Sequence, residues 1–77
     1  EMDVIADFID AALEFEKGWE SQSSEIYRAY RQWSEESGER VKSQRWLTAK
    51  LEEHGLERVR REDGRKWRDI AVKQQYS

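Results

Sequence analysis

Arginine and lysine are the residues of this sequence whose spacing points most directly to a chemistry. Between Leu56 and Val72 the stretch LERVRREDGRKWRDIAV carries six of them, Arg58, Arg60, Arg61, Arg65, Lys66 and Arg68, around an Asp63-Gly64 pair and beside Trp67. Guanidinium and ammonium groups gathered so closely bind phosphate through charge-assisted hydrogen bonds. Strand edges use the same residues to discourage sheet-to-sheet pairing. Six cations opposed by Glu57, Glu62 and Asp63 exceed that need. Arg65 and Lys66, nearest the expected tip, are the first choices for phosphate contact. A second basic group, Arg40, Lys42, Arg45 and Lys50, precedes or lies within a helical pattern that also holds Trp46. Of these, Arg45 and Lys50 are the stronger candidates for nucleic-acid contact. Trp46 lies about 100° from Leu47 on a helical wheel, so it either stacks against sugar or base or packs against a neighbouring element.

Other chemistries find no support. His54 is the single histidine and cysteine is absent, which leaves no thiolate metal site and no disulfide framework. His54 also precedes Gly55, where a cation suits the end of a helix. The carboxylates of Glu35-Glu36 and Glu52-Glu53 are adjacent in sequence, so on a helix they diverge and form no acid–base pair. No Ser-His-Asp order suggests a nucleophile. Gly18, Gly38, Gly55 and Gly64 stand alone rather than in a G-x-x-x-x-G-K-S/T phosphate loop. The chain is therefore expected to be non-catalytic by itself and to need no cofactor.

Bulk properties bound the rest. Seventy-seven residues suffice for one domain, 1–77, with one modest core. The chain begins with Glu1 rather than Met, so a piece of a longer protein is expected. Charged residues reach 40%, yet aromatics reach 12% and recur periodically, which favours a folded domain over disorder. No apolar run approaches the roughly 20 residues that span a bilayer, and with no signal-peptide pattern a cytoplasmic location without membrane contact is expected. The net charge of −3 hides an asymmetry: Glu1 to Glu39 holds eleven acidic and three basic residues, whereas Arg40 to Ser77 holds eleven basic and six acidic ones. A local basic field can bind nucleic acid while the whole chain stays acidic.

The elements that must position these side chains can be read from periodicity. Ile5, Phe8, Ile9 and Ala12 recur at helical spacing, Asp3 can cap them and Gly18 follows, so a first helix is expected over 3–16. GWES could then form a short extended segment with Trp19 turned inward. In SSEIYRAYRQWSEESG, Ile26, Tyr27, Tyr30 and Trp33 share one stripe, with Ser23 or Ser24 as cap and Gly38 as stop. That stripe reads as core rather than as a base-stacking platform. SQRWLTAKLEEHG repeats the pattern, with Ser43 capping, Leu47 and Leu51 inward, Gly55 ending the helix and Leu56 closing on its last turn. The period then changes to a hairpin. A three-residue loop, Glu62-Asp63-Gly64, would pair Val59 with Trp67 and Leu56 with Ile70. A two-residue Asp63-Gly64 turn would pair Arg60 with Trp67 and Arg58 with Asp69. The first is preferred because it sets apolar against apolar. The tail KQQYS is expected to be loose, and the acidic face of helix one (Asp3, Asp7, Asp10, Glu14) to be solvated.

The expected fold is mainly α with a small β-hairpin, an α+β winged helix-turn-helix of three helices and a two- or three-stranded wing sheet. In that architecture helix three meets the major groove and the hairpin lies along phosphate. A helix over 43–54 is roughly 18 Å long, enough to cross a groove about 12 Å wide. The segments DVIADFIDAALEFE, SSEIYRAYRQWSEESGE, SQRWLTAKLEEHGLE and GRKWRDIAV also resemble the C-terminal winged-helix domain of the primase–helicases of phages, plasmids and poxviruses. The matching positions are Ile26, Tyr27, Tyr30, Trp33 and Gly38, then Leu47, Leu51, Gly55 and Leu56, then Ile70 and Val72. Asp69 stands where that family commonly has Gly. The resemblance implies a superfamily III helicase module and a primase module upstream in the parent protein, and a part in replication initiation. Partners would be duplex or forked DNA, or other domains and subunits of a helicase assembly. A protein–protein module with the same fold is the alternative, motivated by the acidic first half.

Overall fold

The computed structural model describes residues 3–76. Three helices, α1 (Val4–Ala12), α2 (Ser23–Ser37) and α3 (Gln44–Glu53), accompany three strands, β1 (Leu13–Gln22), β2 (Arg58–Arg61) and β3 (Gly64–Val72). The strands form one antiparallel sheet in the order β1-β3-β2. The α+β arrangement is consistent with a winged helix, and the sheet has the larger of the two expected strand numbers.

Helix ends follow local chemistry. Asp3 Oδ1 accepts from the Ile5 and Ala6 N–H groups at 3.1 and 3.2 Å and so starts α1. Gly38 ends α2 at φ +74, a left-handed conformation that costs glycine little. Ser43 Oγ accepts from the Trp46 N–H at 3.1 Å and starts α3. At its other end Leu56 N–H returns to Leu51 C=O at 3.2 Å and the Leu56 side chain is buried. Neither Ser23 nor Ser24 caps α2. The helix begins at Ser23, and Gln22, in the cap position, makes no side-chain capping bond.

The core gathers one stripe from each helix against β3. Phe8 is fully buried at its centre, with Tyr30 edge-on at 5.5 Å between ring centroids and Trp33 tilted at 5.7 Å. Such aromatic pairs add about 0.5–1.5 kcal/mol each beyond the area they bury. Leu47 and Leu51 bring in α3, and Trp67 and Ile70 bring in β3.

The sheet differs from expectation in three ways. First, the helix expected to reach Glu16 stops at Ala12. Leu13 begins a ten-residue strand whose first three residues face Val72, Ala71 and Ile70 and whose last three face Arg68, Trp67 and Lys66. The pairing with β3, distant in sequence, overrides helical spacing there. Secondly, Trp19 does not turn inward. Residues 16–19 bulge opposite Asp69 alone, where the β1–β3 register shifts, and Trp19 is left 55% exposed. Thirdly, neither expected hairpin register occurs. The loop is Glu62-Asp63, with Arg61 facing Gly64, Arg60 facing Arg65, Val59 facing Lys66 and Arg58 facing Trp67. Leu56 reaches the core through its helix-end contact and not by pairing with Ile70, which frees the hairpin to close one residue tighter. The apolar partner expected opposite Trp67 is replaced by Arg58, whose guanidinium carbon lies 5.9 Å from the Trp67 ring centroid. The tail is also ordered: Lys73 N–H bonds Ala12 C=O at 2.8 Å, and half-buried Tyr76 in the short 3-10 turn Gln74–Tyr76 donates to Glu36 Oε1 at 3.3 Å. Ser77 lies outside the described residues.

Asp69 holds the sheet irregularity. Its φ is +58, and its Oδ1 accepts from the Gly18 N–H at 2.8 Å across the bulge. A position where the resembling family commonly has glycine thus keeps the backbone glycine favours, with a carboxylate that bonds locally. The D69V variant should lose about 1–2 kcal/mol in urea unfolding, the cost of a β-branched residue in left-handed backbone plus the lost bond, whereas D69N should stay close to the parent. Equal losses for the two would assign the effect to charge rather than to backbone.

Candidate nucleic-acid interface

The position of α3 is set by two phenols. Tyr30 hydroxyl accepts from the Lys42 N–H at 3.1 Å and donates to Arg40 C=O at 3.4 Å, while Tyr27 hydroxyl donates to Lys42 C=O at 2.8 Å. The stripe that buries α2 therefore also ties down the connection leading into α3. From there α3 divides. Leu47 and Leu51 face the core. Trp46 and Lys50 turn toward the start of α1, in a groove they share with Asp3, Val4, Ile5 and His54. Trp46 is half-buried, 6.1 Å from the Tyr30 ring, with the Lys42 and Lys50 ammonium groups 5.9 and 6.0 Å from its own ring centroid. Of its two readings, packing against helix two is the contact present. Gln44, Arg45 and Thr48 turn the other way, toward the hairpin.

The hairpin sorts its six cations by face, because alternate residues of a strand point to opposite sides. Arg58, Arg60 and Arg65 share the helix-facing side with buried Trp67, whereas Arg61, Lys66 and Arg68 lie on the outer side. Every outer cation has an acidic partner. Arg61 holds Glu20 through two bonds (Nε to Oε1 at 3.0 Å, and Nη2 to Oε2), Lys66 sits 3.2 Å from Asp63, and Arg68 sits 3.5 Å from Glu57. On the helix-facing side Arg58 stacks on Trp67 and approaches Glu52 at 3.7 Å. Lys50 likewise pairs with Glu53 at 3.6 Å. Of the nine candidate residues, the three cations with no acidic partner among the described residues are Arg45, Arg60 and Arg65. Arg60 and Arg65 stand directly across from one another in the ladder, a destabilising like-charge pair.

Arg45, Arg58 and Arg65 line a cleft of about 560 Å³ between α3, the hairpin and the start of α2, together with Ser23, Gln44 and Thr48. A shallower hollow continues from it along Arg58, Arg60 and Arg65 to Glu52. The structure thus brings Arg45 and the inner hairpin arginines together, and sets Trp46 and Lys50 apart on the opposite side of α3. In the sequence Ser23 carries only a capping signal, and Gln44 and Thr48 carry none. Their polar character gives no signal until α2 and α3 are placed beside the hairpin.

Residues 1–76 match the family model described as Poxvirus D5 protein-like. The chain belongs to that family. No curated protein and no solved structure matches it. The Poxvirus D5-like family is primase–helicase-like, in line with the resemblance drawn from α2 and α3. No helix among the described residues of this D5-like domain is long and apolar enough to cross a membrane.

Ion pairing in the D5-like domain leaves a titration signature. The bonds from Arg61 hold the Glu20 carboxyl below its ordinary value of 4.5, with burial opposing and the charges of Arg61, Lys66 and Arg68 assisting. The Lys66 ammonium does the same for Asp63. Because Glu20 belongs to β1 and Arg61 to β2, their contact reaches across β3 and secures the hairpin to the far edge of the sheet. A carboxyl whose pKa falls on folding stabilises the fold above its unfolded pKa, and that contribution fades as pH drops through the folded value. The E20Q variant should therefore show a lower urea midpoint than the parent at neutral pH, and the two should converge in acid below the ordinary glutamate value. A deficit that persists unchanged in acid would trace to packing instead.

Proposed function

We propose that this is a non-catalytic DNA-binding winged-helix domain of a primase–helicase-type replication protein, with α3 in the major groove and the hairpin on phosphates. The observation that carries the reading is the pair Arg60 and Arg65, set opposite one another and left without acidic partners among the described residues while the outer cations are all neutralised. A fold gains no stability from opposed like charges, but a polyanion laid along that side neutralises both. Arg45 extends the same uncompensated side onto α3. Arg58, Arg61, Lys66 and Arg68 contribute a field that their own carboxylates reduce, and Trp46 and Lys50 support α3 from behind.

A protein–protein role is the second reading, and it has its own observation. Phe15, just before the β1 bulge, is 75% exposed and Trp19, within it, 55% exposed, beside the acidic Glu14 and Glu16. That bulge occupies the sheet edge opposite to β2, so the two roles do not compete for surface.

Fluorescence anisotropy with short duplex and single-stranded DNA, at about 50 and about 200 mM salt, tests the DNA reading. Binding should weaken steeply with salt, and R60A/R65A should weaken it by roughly tenfold or more. A folded domain that binds neither DNA at the lower salt would overturn it.

A further inference from the structure

We propose that the cleft between α2, α3 and the hairpin is a seat for one phosphate group, gripped by Arg45 and Arg65 and finished by the Ser23 hydroxyl. The proposal rests on the DNA reading above and adds where on the domain a phosphate is held, and by which atoms. Three observations meet there. Arg45 and Arg65 come from elements far apart in sequence, line the same cleft, and have no acidic partner among the described residues. Ser23 lines the cleft too, and its Oγ is buried with no hydrogen-bond partner among the described residues, an unmet polar group that a ligand oxygen would satisfy. Finally, α2 starts at Ser23 with no side-chain cap, so its first-turn N–H groups lack a side-chain acceptor at the end of the cleft.

The chemistry of the lining selects the ligand. Two guanidinium groups with no acidic partner among the described residues, a hydroxyl and uncapped amides favour a tetrahedral oxyanion, which takes several donors from different directions. Arg58 narrows the choice further. Its guanidinium is already engaged by Trp67 and Glu52, so it forms a wall of the cleft and not a mobile contact. Thr48 and Gln44 add uncharged donors along the α3 side. The bound group is a phosphate of DNA, whether a diester within a strand or a monoester at a strand end.

The experiment titrates the isotopically labelled 77-residue chain with three probes. These are inorganic phosphate, a short duplex with 5′-hydroxyl ends, and the same duplex with 5′-phosphate ends. Backbone amides of Ser23, Ser24 and Glu25 and the side-chain Nε–H resonances of Arg45 and Arg65 report the cleft. The expected result is that these resonances shift with DNA, that R45A/R65A lowers affinity roughly tenfold or more and reduces the salt slope by about 1, as for one lost phosphate, and that S23A weakens binding several-fold. R31A, on the exposed face of α2, should change it less than about twofold. Tighter binding of the phosphorylated duplex assigns the seat to a strand end, and equal binding of the two assigns it to an internal diester. DNA binding with shifts confined to other surfaces, and with S23A and R45A/R65A unchanged, sinks the seat and leaves the DNA reading intact. If no DNA binds, the DNA reading falls. The seat then survives only if inorganic phosphate shifts the same five groups in the parent and leaves the three backbone amides unshifted in R45A/R65A. Circular dichroism of each variant separates lost binding from lost fold.

Discussion

Trp67 and Ile70 are both buried and lie three positions apart on one strand, a spacing that strict alternation cannot accommodate. One extra half-turn of backbone resolves the conflict, and Asp69 supplies it by taking left-handed φ and bonding Gly18 across the sheet. Most of the domain depends on that adjustment. Were β3 regular, burying Ile70 would turn Trp67 outward and carry Arg65 to the far side with it. Arg58 and Arg60, facing these residues on β2, would follow. The side of the hairpin that now meets α3 would instead present Arg61, Lys66 and Arg68.

The same adjustment explains why the number of cations overstates the basic surface. Carboxylates from β1, from the hairpin loop and from the segment before β2 neutralise the outer face. What remains open is narrow and lies where two structural units converge. An acidic chain can in this way keep a small, directed positive surface without the broad stickiness of a basic one.

The helix ends that were legible are local ones, whereas the end of α1 at Ala12 and the uncapped start of α2 were not. Gly38 and Gly55 sit where positive φ is required, Asp3 and Ser43 bond within three residues, and the Tyr27–Trp33 stripe is an uninterrupted helical pattern. The strands were less so. Leu13 and Phe15 continue a helical spacing, and only their partners at 70–72 make them a strand. The hairpin could be seen in Asp63-Gly64 and the β-branched residues around it. Its register could not, because the choice lies with the Asp69 irregularity and with Arg58 covering Trp67. For the interface, the list of cations was written in the sequence. Which of them are neutralised was not, since Glu20 is 41 positions from Arg61 in the chain, and no short-range pattern links them.

α2 runs between two electrically different ends. Its first residue opens on the arginine cleft, and its last turns carry Glu35 and Glu36, with Glu39 just beyond Gly38. Over 15 residues, roughly 22 Å, the aligned peptide dipoles point the same way as these side chains, positive toward the cleft and negative away from it. At the acidic end backbone and side chains thus add, whereas Glu25 in the first turn opposes the dipole at the cleft end. In the field of the polyanion proposed above, the acidic end of α2 would be the one that trails.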